Sequence, residues 1–303
     1  MIDVRVRNKV ADEAVKALQG RVLGPADYDL RLTGAAYVRM PDGRPLCVYL
    51  PGVLRDVVTA DMYSILHDLR ALRTSNRGAA SGTRRLHRGS PGAYSRRSET
   101  VPIASTVVGA LDPAGQRRYC RLTSWTGKNL PQWEQLQPLL ATIAVLLRTY
   151  VPDRYAVQMQ AAAESNPAWI VPGTPFSTVT VNNSYATGTH TDRGDLDAGF
   201  STIACIRRGR YTGGHLVFPQ FRVAADMQDG DLMLMDAHQW HANTQLVCVC
   251  GRALNGPCRE CGAERISLVS YYRTKIKDCG DPDTESRRAG QHNTAQLTGD
   301  GDE

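Results

Sequence analysis

Residues 176–192 read FSTVTVNNSYATGTHTD, in which a β-rich segment runs directly into His190-Thr-Asp192. The Val and Thr content predicts a short strand over residues 176–182. Side chains two positions apart on an extended chain point to the same side, so we expect His190 and Asp192 to converge on one point. An isolated His-x-Asp is a weak indication of a metal site, and its meaning depends on the motifs further along the chain.

Three more β-rich segments come after it, over residues 201–207, 231–235 and 266–272. They are short, are separated by Gly and Asp turns, and have no helical pattern between them, which favours a barrel or sandwich over a parallel α/β sheet. Helical spacing of apolar residues occurs over residues 54–72 and 132–150. The sequence therefore predicts a mixed α/β (α+β) fold with a β core flanked by helices.

A second histidine pair lies about fifty residues after the first motif. The strand-like segment GDLMLMD, residues 230–236, leads to His238 and His241. We favour His241 as the third ligand because it precedes ANTQLV, which resembles another strand, and we assign His238 as its neighbour. Two imidazoles and one carboxylate with open positions form the facial triad of non-haem Fe(II) oxygenases.

A third element supports this interpretation. Arg265 and Ser267 lie two apart on the last β-rich segment. A guanidinium binds a carboxylate in bidentate fashion, and a neighbouring hydroxyl adds a hydrogen bond. These two residues are suited to anchoring the distal carboxylate of 2-oxoglutarate.

Composition and charge limit the class of protein. The 303 residues are 42% hydrophobic and 22% charged, as in globular proteins, and no apolar stretch approaches the length of a membrane span. The formal net charge of +6 is uneven: residues 70–97 hold eight arginines and no acid, whereas residues 278–303 are acidic. The arginine-rich stretch indicates an anionic partner such as nucleic acid, with a solvated linker as the alternative.

Together these motifs resemble the oxygenase domain of the TET/JBP group, which comprises the ten-eleven translocation methylcytosine dioxygenases and the base J-binding protein thymine hydroxylases. The JBP-like and viral members are the more similar ones. The resemblance covers about two-thirds of the chain and rests on TSNRG (74–78), CRLT (120–123), GTPFSTVTVN (173–182), HTDRGDL (190–196), YTGGHLVFP (211–219), GDLMLMD (230–236), HANT (241–244) and RIS (265–267).

The resemblance implies a double-stranded β-helix, the jelly-roll or cupin-like fold, with Fe(II), 2-oxoglutarate and O2 as cofactor and cosubstrates. His190, Asp192 and His241 match the iron ligands, Arg265 matches the 2-oxoglutarate anchor, and Ser267 matches its helper. The implied reaction is oxidation of a pyrimidine 5-methyl group in DNA, on a base that is flipped out or single-stranded. We expect 5-methylcytosine to give 5-hydroxymethylcytosine, with possible further oxidation. The alternatives are thymine hydroxylation to 5-hydroxymethyluracil and a protein or small-molecule hydroxylase.

The resemblance also places substrate contacts. Asp195 occupies the position that faces the target base in TET-like enzymes and could accept from the cytosine amino group; alternatively, it stabilises the Arg-Gly-Asp turn. Asn182 and Asn183 stand at a strand end and could line the pocket or cap a turn. From the basic stretch, the predicted DNA contacts are Arg77, Arg84, Arg85 and Arg88.

A cysteine-rich insert lies between His241 and Arg265. Cys248, Cys250, Cys258 and Cys261 have the spacing of a structural zinc site. The alternatives are free thiols and two disulfides. The remaining four cysteines, Cys47, Cys120, Cys205 and Cys279, are expected to be unpaired.

These patterns predict a single dioxygenase domain over residues 1–277. Its parts are a helical, DNA-contacting region (1–150), the β-helix core (151–277) and the cysteine insert (248–261). Residues 278–303 are expected to be a disordered, dispensable acidic tail. We also expect a monomer without a membrane partner, located in the cytoplasm or wherever the DNA is, and not secreted.

Overall fold

The computed structural model describes residues 1–74, 77–81, 102–114 and 117–298, with side chains up to residue 292. Within these ranges the chain forms six α-helices and sixteen strands. The helices are α1 Asp12–Ala17, α2 Ala60–Asp68, α3 Ser124–Lys128, α4 Leu130–Tyr150, α5 Pro152–Ala163 and α6 Pro282–Thr298. The strands are β1 Ile2–Arg5, β2 Leu30–Leu32, β3 Ala36–Arg39, β4 Pro45–Leu50, β5 Arg73–Thr74, β6 Ile103–Leu111, β7 Arg121–Leu122, β8 Thr178–Asn183, β9 Ser201–Arg208, β10 Tyr211–Thr212, β11 Leu216–Phe218, β12 Val223–Ala225, β13 Asp231–Met235, β14 Ala242–Asn243, β15 Val247–Cys248 and β16 Glu264–Tyr271.

The strands form a large sheet, a smaller one and a two-stranded ribbon. The large sheet has the order β1-β3-β4-β13-β9-β16-β8-β6-β5, with β7 paired to β6. The smaller sheet has the order β14-β11-β12-β2, and β10 pairs with β15. Each predicted β-rich segment forms a strand within one or two residues of its expected bounds, which confirms the mixed α/β class.

Strand β13 shows how the pattern of apolar residues determines the pairing. Its five residues are all buried and pair antiparallel with β4, Leu232 opposite Leu50 and Met235 opposite Cys47. A short apolar run of this kind suits a strand covered on both faces. The strand begins at Asp231, whose carboxylate accepts hydrogen bonds from Tyr49 Oη and from the backbone N–H groups of Gly52 and Gln228.

The contacts divide the chain into two compact units. The first comprises Met1–Thr106, Val181–Arg193 and Thr202–Leu268, and the second comprises Val107–Thr180, Gly194–Ser201 and Val269–Glu303. The expected division at residue 150 is not followed, because β4 pairs with β13 and so places the N-terminal strands in one sheet with the β core. The first 150 residues are also not mainly helical, since they supply strands β1 to β7.

The two predicted long helices form, with shifted bounds. Helix α4 buries a stripe at helical spacing that includes Leu136, Leu140, Ile143 and Leu147. Helix α2 begins six residues later than the apolar spacing suggests. Its start is set by Thr59, whose side chain accepts from the backbone N–H of Met62 and so caps the helix.

The expectation of a disordered acidic tail is wrong for residues 282–298, which form α6. The buried carboxylate of Glu285 accepts from the backbone N–H groups of Cys120 and Gly280, which fixes the helix to the second unit. The structure also joins Cys120 and Cys279, expected to be unpaired, in a disulfide with 5.8 Å between the Cα atoms. Residues 278–298 are therefore part of the folded unit.

In the part of the chain that the structure describes, none of the helices combines the length and the apolar character needed to span a bilayer.

Candidate active site

The structure brings His190, Asp192 and His241 together. One ligand atom from each of the three lies within 4.8 Å of the other two. Nε2 of His190 is 3.4 Å from one carboxylate oxygen of Asp192, and Nε2 of His241 is 3.9 Å from the other. Two imidazoles and a carboxylate thus converge on one point, as the sequence predicts.

The backbone positions these ligands. His190 and His241 form an antiparallel β-bridge in which each N–H donates to the other's carbonyl oxygen, at 3.0 and 2.9 Å. The N–H of Asp192 donates to the carbonyl of Ala237 at 3.0 Å. Both segments that carry ligands are therefore hydrogen-bonded to each other through main-chain groups.

The second nitrogen of each imidazole contacts a backbone carbonyl. Nδ1 of His190 is 2.7 Å from the oxygen of Gly188, and Nδ1 of His241 is 2.9 Å from the oxygen of Gln239. A carbonyl can only accept, so Nδ1 carries the proton in both rings and Nε2 keeps its lone pair. This is the tautomer that a metal ligand requires, and contacts of this kind orient the rings.

Electrostatics favour the same protonation states. Burial lowers the pKa of His241 to about 4, and the neighbouring His190 adds to this shift. Burial would raise the pKa of Asp192, but the two neighbouring imidazoles lower it to about 2. At neutral pH the site therefore offers a neutral imidazole at His241 and an ionised carboxylate, which are the forms that bind a divalent cation.

The choice of His241 over His238 agrees with this geometry. His238 is outside the cluster, and its Nδ1 is 3.3 Å from a carboxylate oxygen of Asp236. Its backbone N–H also donates to Asp236, at 3.1 Å. His238 is therefore a neighbour that interacts with the end of β13.

Arg265 and Ser267 lie on β16 and are 4% and 5% exposed. Nε of Arg265 is buried and has no hydrogen-bond partner among the described residues, and the same holds for the hydroxyl of Tyr211. Burial raises the pKa values of Tyr211 and Cys205, and the nearby charge of Arg265 opposes both shifts. Two buried donors near one another without an acceptor are suited to receive an anionic group.

Gly214 explains part of the YTGGHLVFP motif. Its φ is +74°, and a Cβ there would lie 3.0 Å from Leu246 Cδ2 and 3.4 Å from Arg265 Cδ. The missing side chain lets the stem of Arg265 lie against the backbone. Tyr211 is in the same motif, but the sequence alone gives it no role, because the pattern does not say which hydroxyl lacks a partner.

Arg77 and Asn182 belong to one hydrogen-bond chain in the first unit. Nε of Arg77 donates to Ser105 Oγ at 2.8 Å, and this hydroxyl donates to Asn182 Oδ1 at 2.7 Å. Tyr185 Oη donates to the same amide oxygen at 2.9 Å. Nη2 of Arg77 is buried without a partner among the described residues, and the charge of Arg77 contributes to the low pKa of Asp192.

Two of the predicted base contacts are engaged elsewhere. Asn183 is 1% exposed and donates through Nδ2 to Glu264. Asp195 is 7% exposed, its carboxylate accepts from Ser201 Oγ at 2.9 Å, and its backbone oxygen accepts from Thr274. This placement agrees with the alternative that Asp195 stabilises the turn. Arg84, Arg85 and Arg88 lie outside the described residues.

The four cysteines of the insert form a second cluster. Their Sγ atoms all lie within 4.8 Å of one another: Cys248, Cys250, Cys258 and Cys261. Gly251 and Gly262 follow the second cysteine of each pair with φ of +75° and +66°. The backbone N–H of Cys261 is the largest of several contacts that lower the pKa of the Cys258 thiol to about 7. The arrangement has the donor set of a closed tetrahedral zinc site.

Comparison with known proteins gives the class. Residues 112–274 match the family Tet_JBP, described as the oxygenase domain of the 2OGFeDO superfamily. The match covers more than half of the chain, and the chain belongs to this family. Membership implies Fe(II) and 2-oxoglutarate, and the triad fits the metal because two unprotonated Nε2 atoms and a carboxylate converge. The partnerless donors of Arg265 and Tyr211 fit an anionic cosubstrate.

Among curated relatives, the chain is 33% identical to thymine dioxygenase JBP1 of Leishmania braziliensis over 73% of this chain and 24% of the relative. It is 31% identical to thymine dioxygenase JBP1 of Crithidia fasciculata over 86% of this chain and 29% of the relative. The chain thus spans less than a third of the length of these relatives.

A solved structure of NgTET1 in complex with 5mC DNA superposes with a TM-score of 0.54 at 13% identity, covering 88% of this chain and 93% of that one. At this identity the likeness concerns the fold, and it confirms the predicted double-stranded β-helix core.

Proposed function

We propose that this chain is an Fe(II)- and 2-oxoglutarate-dependent dioxygenase that oxidises the 5-methyl group of a pyrimidine in DNA. The observation that carries the proposal is the convergence of His190, Asp192 and His241, with both imidazole Nδ1 atoms held by backbone carbonyls. Bound iron and 2-oxoglutarate would activate dioxygen for insertion of an oxygen atom into a C–H bond of the methyl group.

The residues of the chain supply binding and orientation. His190, Asp192 and His241 would hold iron and leave positions open for the cosubstrates. Arg265 and Tyr211 would donate to the distal carboxylate of 2-oxoglutarate, and Ser267 would be its neighbour on the same face of β16. Because these donors are buried, their hydrogen bonds to an anion are strong and water competes poorly for them.

The target base must leave the stack to reach a buried centre, at a cost of about a few kcal/mol. Among the arginines predicted to contact DNA, Arg77 lies within the described residues, and its charge helps to lower the pKa of Asp192. We assign it to the side of the site that the base enters. Contacts of Arg84, Arg85 and Arg88 with phosphates remain predictions from the basic stretch. The monomeric state and the cellular compartment also remain predictions.

Thymine and 5-methylcytosine are the two candidate substrates. The preference for 5-methylcytosine depends on Asp195 accepting from the cytosine amino group, and that carboxylate is buried and accepts from Ser201. The curated relatives are named thymine dioxygenases. We therefore place thymine first, with 5-hydroxymethyluracil as product. 5-Methylcytosine is kept second because the similar fold is that of a protein solved with 5mC DNA.

Nucleoside mass spectrometry tests this proposal. Matched duplexes with cytosine or 5-methylcytosine are incubated with enzyme, Fe(II), ascorbate and 2-oxoglutarate, and then digested. 5-Hydroxymethyluracil from both duplexes supports thymine, and 5-hydroxymethylcytosine from the methylated duplex supports the second substrate. Absence of both products from iron-loaded protein would refute the DNA assignment. Succinate formed equally well without DNA would then favour a protein or small-molecule hydroxylase.

We also propose that the cysteine insert holds a structural zinc ion. The four Sγ atoms lie together, and Cys258 already accepts backbone hydrogen bonds that favour its thiolate. An insert of this length buries few side chains and gains stability from a metal that joins its two ends. Metal analysis of purified protein should give close to one zinc per chain, and none after substitution of the cysteines.

A further inference from the structure

A second concave site lies in the first unit, and none of its lining residues belongs to the triad of His190, Asp192 and His241. Its volume is about 560 Å³. One wall comes from α2 and the residues after it, and the other from the cysteine insert. The lining is formed by Tyr63, His67, Arg70, Arg73, Asn255, Gly256, Pro257, Cys258, Arg259, Gly262 and Glu264. We call it the insert pocket.

The charge of the insert pocket is positive. Arg70, Arg73 and Arg259 line it, and among the described lining residues Glu264 is the only acid. Arg70 forms an ion pair with Asp68 through Nη1, but both side chains are exposed and such pairs contribute little. Arg70 Nη1 also donates to the backbone oxygen of His67. Nη2 of Arg70 and the guanidinium of Arg259 therefore remain available to an anion from outside, whereas Arg73 is held by neighbouring carbonyl groups.

One carboxylate, that of Glu264, against three arginines leaves the lining with a net positive charge, and the hydrogen-bond partners of Glu264 are other side chains. Tyr63 Oη donates at 2.6 Å, His67 Nδ1 lies at 2.8 Å and Asn183 Nδ2 donates at 2.5 Å. Glu264 is 2% exposed. It forms the base of the pocket and holds two side chains of α2 in place.

The aromatic ring in the pocket is not available for stacking on a nucleobase. The ring of Tyr63 stacks on His67, with centroids 5.6 Å apart and planes at 30°. The guanidinium of Arg208 lies over the Tyr63 ring, 4.5 Å from its centroid. Proteins bind single-stranded bases by stacking them on open aromatic faces. Because the faces of Tyr63 are occupied, the pocket is better suited to the sugar-phosphate backbone of DNA than to a base.

Arg73 is held with its guanidinium between the two walls. Its Nε and Nη2 donate to the carbonyl of Pro102 at 3.0 and 2.5 Å, and Nη2 also lies 3.3 Å from the backbone oxygen of Asn255. Its Nη1 lies 3.5 Å from the position that a Cβ at Gly256 would take. The insert is thereby joined to β5, and Arg259 is presented on the same pocket.

We propose that the insert pocket binds a phosphodiester of the DNA backbone, so that the cysteine insert is a DNA-contacting element as well as a metal site. This inference rests on the proposed function, since it takes DNA as the partner. Arginine suits the role because its planar donors match phosphate oxygens. The contact is independent of base sequence and adds affinity by releasing counterions.

The test is the salt dependence of DNA binding, measured by fluorescence anisotropy on a labelled duplex. The variants are Arg70→Gln, Arg259→Gln and the double variant. The matched control is Arg252→Gln, which removes an exposed arginine of the same insert that pairs with Glu260 and does not line the pocket. Arg73 is left intact because its hydrogen bonds join two segments.

Substitution of each pocket arginine that contacts a phosphate should reduce the magnitude of the negative slope of log K against log salt by about 0.9 and weaken binding roughly eight-fold at 0.1 M salt. The control should leave both quantities unchanged. The control should also keep the turnover number of the unmodified protein, because Arg252 belongs neither to the pocket lining nor to the triad.

The outcomes separate this inference from the proposed function. If the unmodified protein oxidises DNA and the double variant binds with the slope of the control, the insert pocket is not a phosphate site. If the slope falls as expected but no oxidised base is found, the pocket is supported and the proposed reaction is refuted. If the unmodified protein does not bind DNA, both are refuted.

Discussion

Replacing Tyr211 by Phe should have opposite effects on the cosubstrate-free protein and on 2-oxoglutarate binding. The Tyr211 hydroxyl is buried without a hydrogen-bond partner among the described residues, and the positive charge of Arg265 opposes the rise in its pKa caused by burial. A buried polar group without a hydrogen bond costs about 1–3 kcal/mol. Tyr211→Phe should therefore raise the free energy of unfolding by about 1 kcal/mol, or leave it unchanged, when no 2-oxoglutarate is present.

With 2-oxoglutarate bound, the same hydroxyl would donate to a carboxylate. A hydrogen bond to a charged group contributes about 1.5–3 kcal/mol, so Tyr211→Phe should raise the Kd for 2-oxoglutarate about 10- to 150-fold. The assay is anaerobic calorimetric titration of metal-loaded protein, together with denaturant unfolding without 2-oxoglutarate. KM for 2-oxoglutarate should rise in parallel, while the turnover number at saturation should change little.

Tyr272→Phe is the matched control. Tyr272 is also buried, but its hydroxyl lies 2.7 Å from Ser165 Oγ in a satisfied hydrogen bond. This variant should lose about 1 kcal/mol of stability and keep the affinity for 2-oxoglutarate. If Tyr211→Phe destabilises the protein as much as Tyr272→Phe and binds 2-oxoglutarate normally, Tyr211 is a structural residue and the proposed anion pocket is wrong.

The other predictions concern the two candidate metal-binding clusters and the disulfide. Asp192→Ala should abolish base oxidation and iron binding, measured by product mass spectrometry and metal analysis, whereas Asp195→Asn should leave the ratio of oxidised bases unchanged because its carboxylate is bonded to Ser201. Cys258→Ser should release zinc, and retention of one zinc per chain would contradict the proposed site. Cys120→Ser should lower the free energy of unfolding by about 2–5 kcal/mol, since the disulfide closes a long loop, and reductant should lower the melting temperature of the parent protein but not of this variant.

The site could be predicted from the sequence where its geometry is local. His190 and Asp192 are two residues apart, and so are Arg265 and Ser267, so the alternation of an extended chain places each pair on one side. The choice of His241 depended on a following strand, and residues 242–243 do form β14. The pairing of the strands then brings these short segments together.

Features that depend on distant partners could not be predicted. Cys120 and Cys279 are 159 residues apart, and nothing in their local sequence indicates the disulfide. Helix α6 has a polar sequence, and one buried carboxylate, Glu285, anchors it to the distant backbone N–H of Cys120. Asp195 is a further example. Its partner Ser201 lies on the following strand, and the sequence does not show from which donor the carboxylate accepts a hydrogen bond.

Because the main chains of His190 and His241 are bridged to each other, the backbone around the proposed iron position is held without help from the imidazoles. Shortening residue 190 to glycine would leave both bridge hydrogen bonds in place and open a cavity with the outline of one imidazole ring. A small diffusible ligand such as free imidazole could enter this cavity and complete the coordination from solution. The proposed iron centre would therefore accept, at position 190, small ligands that are not among the twenty encoded side chains.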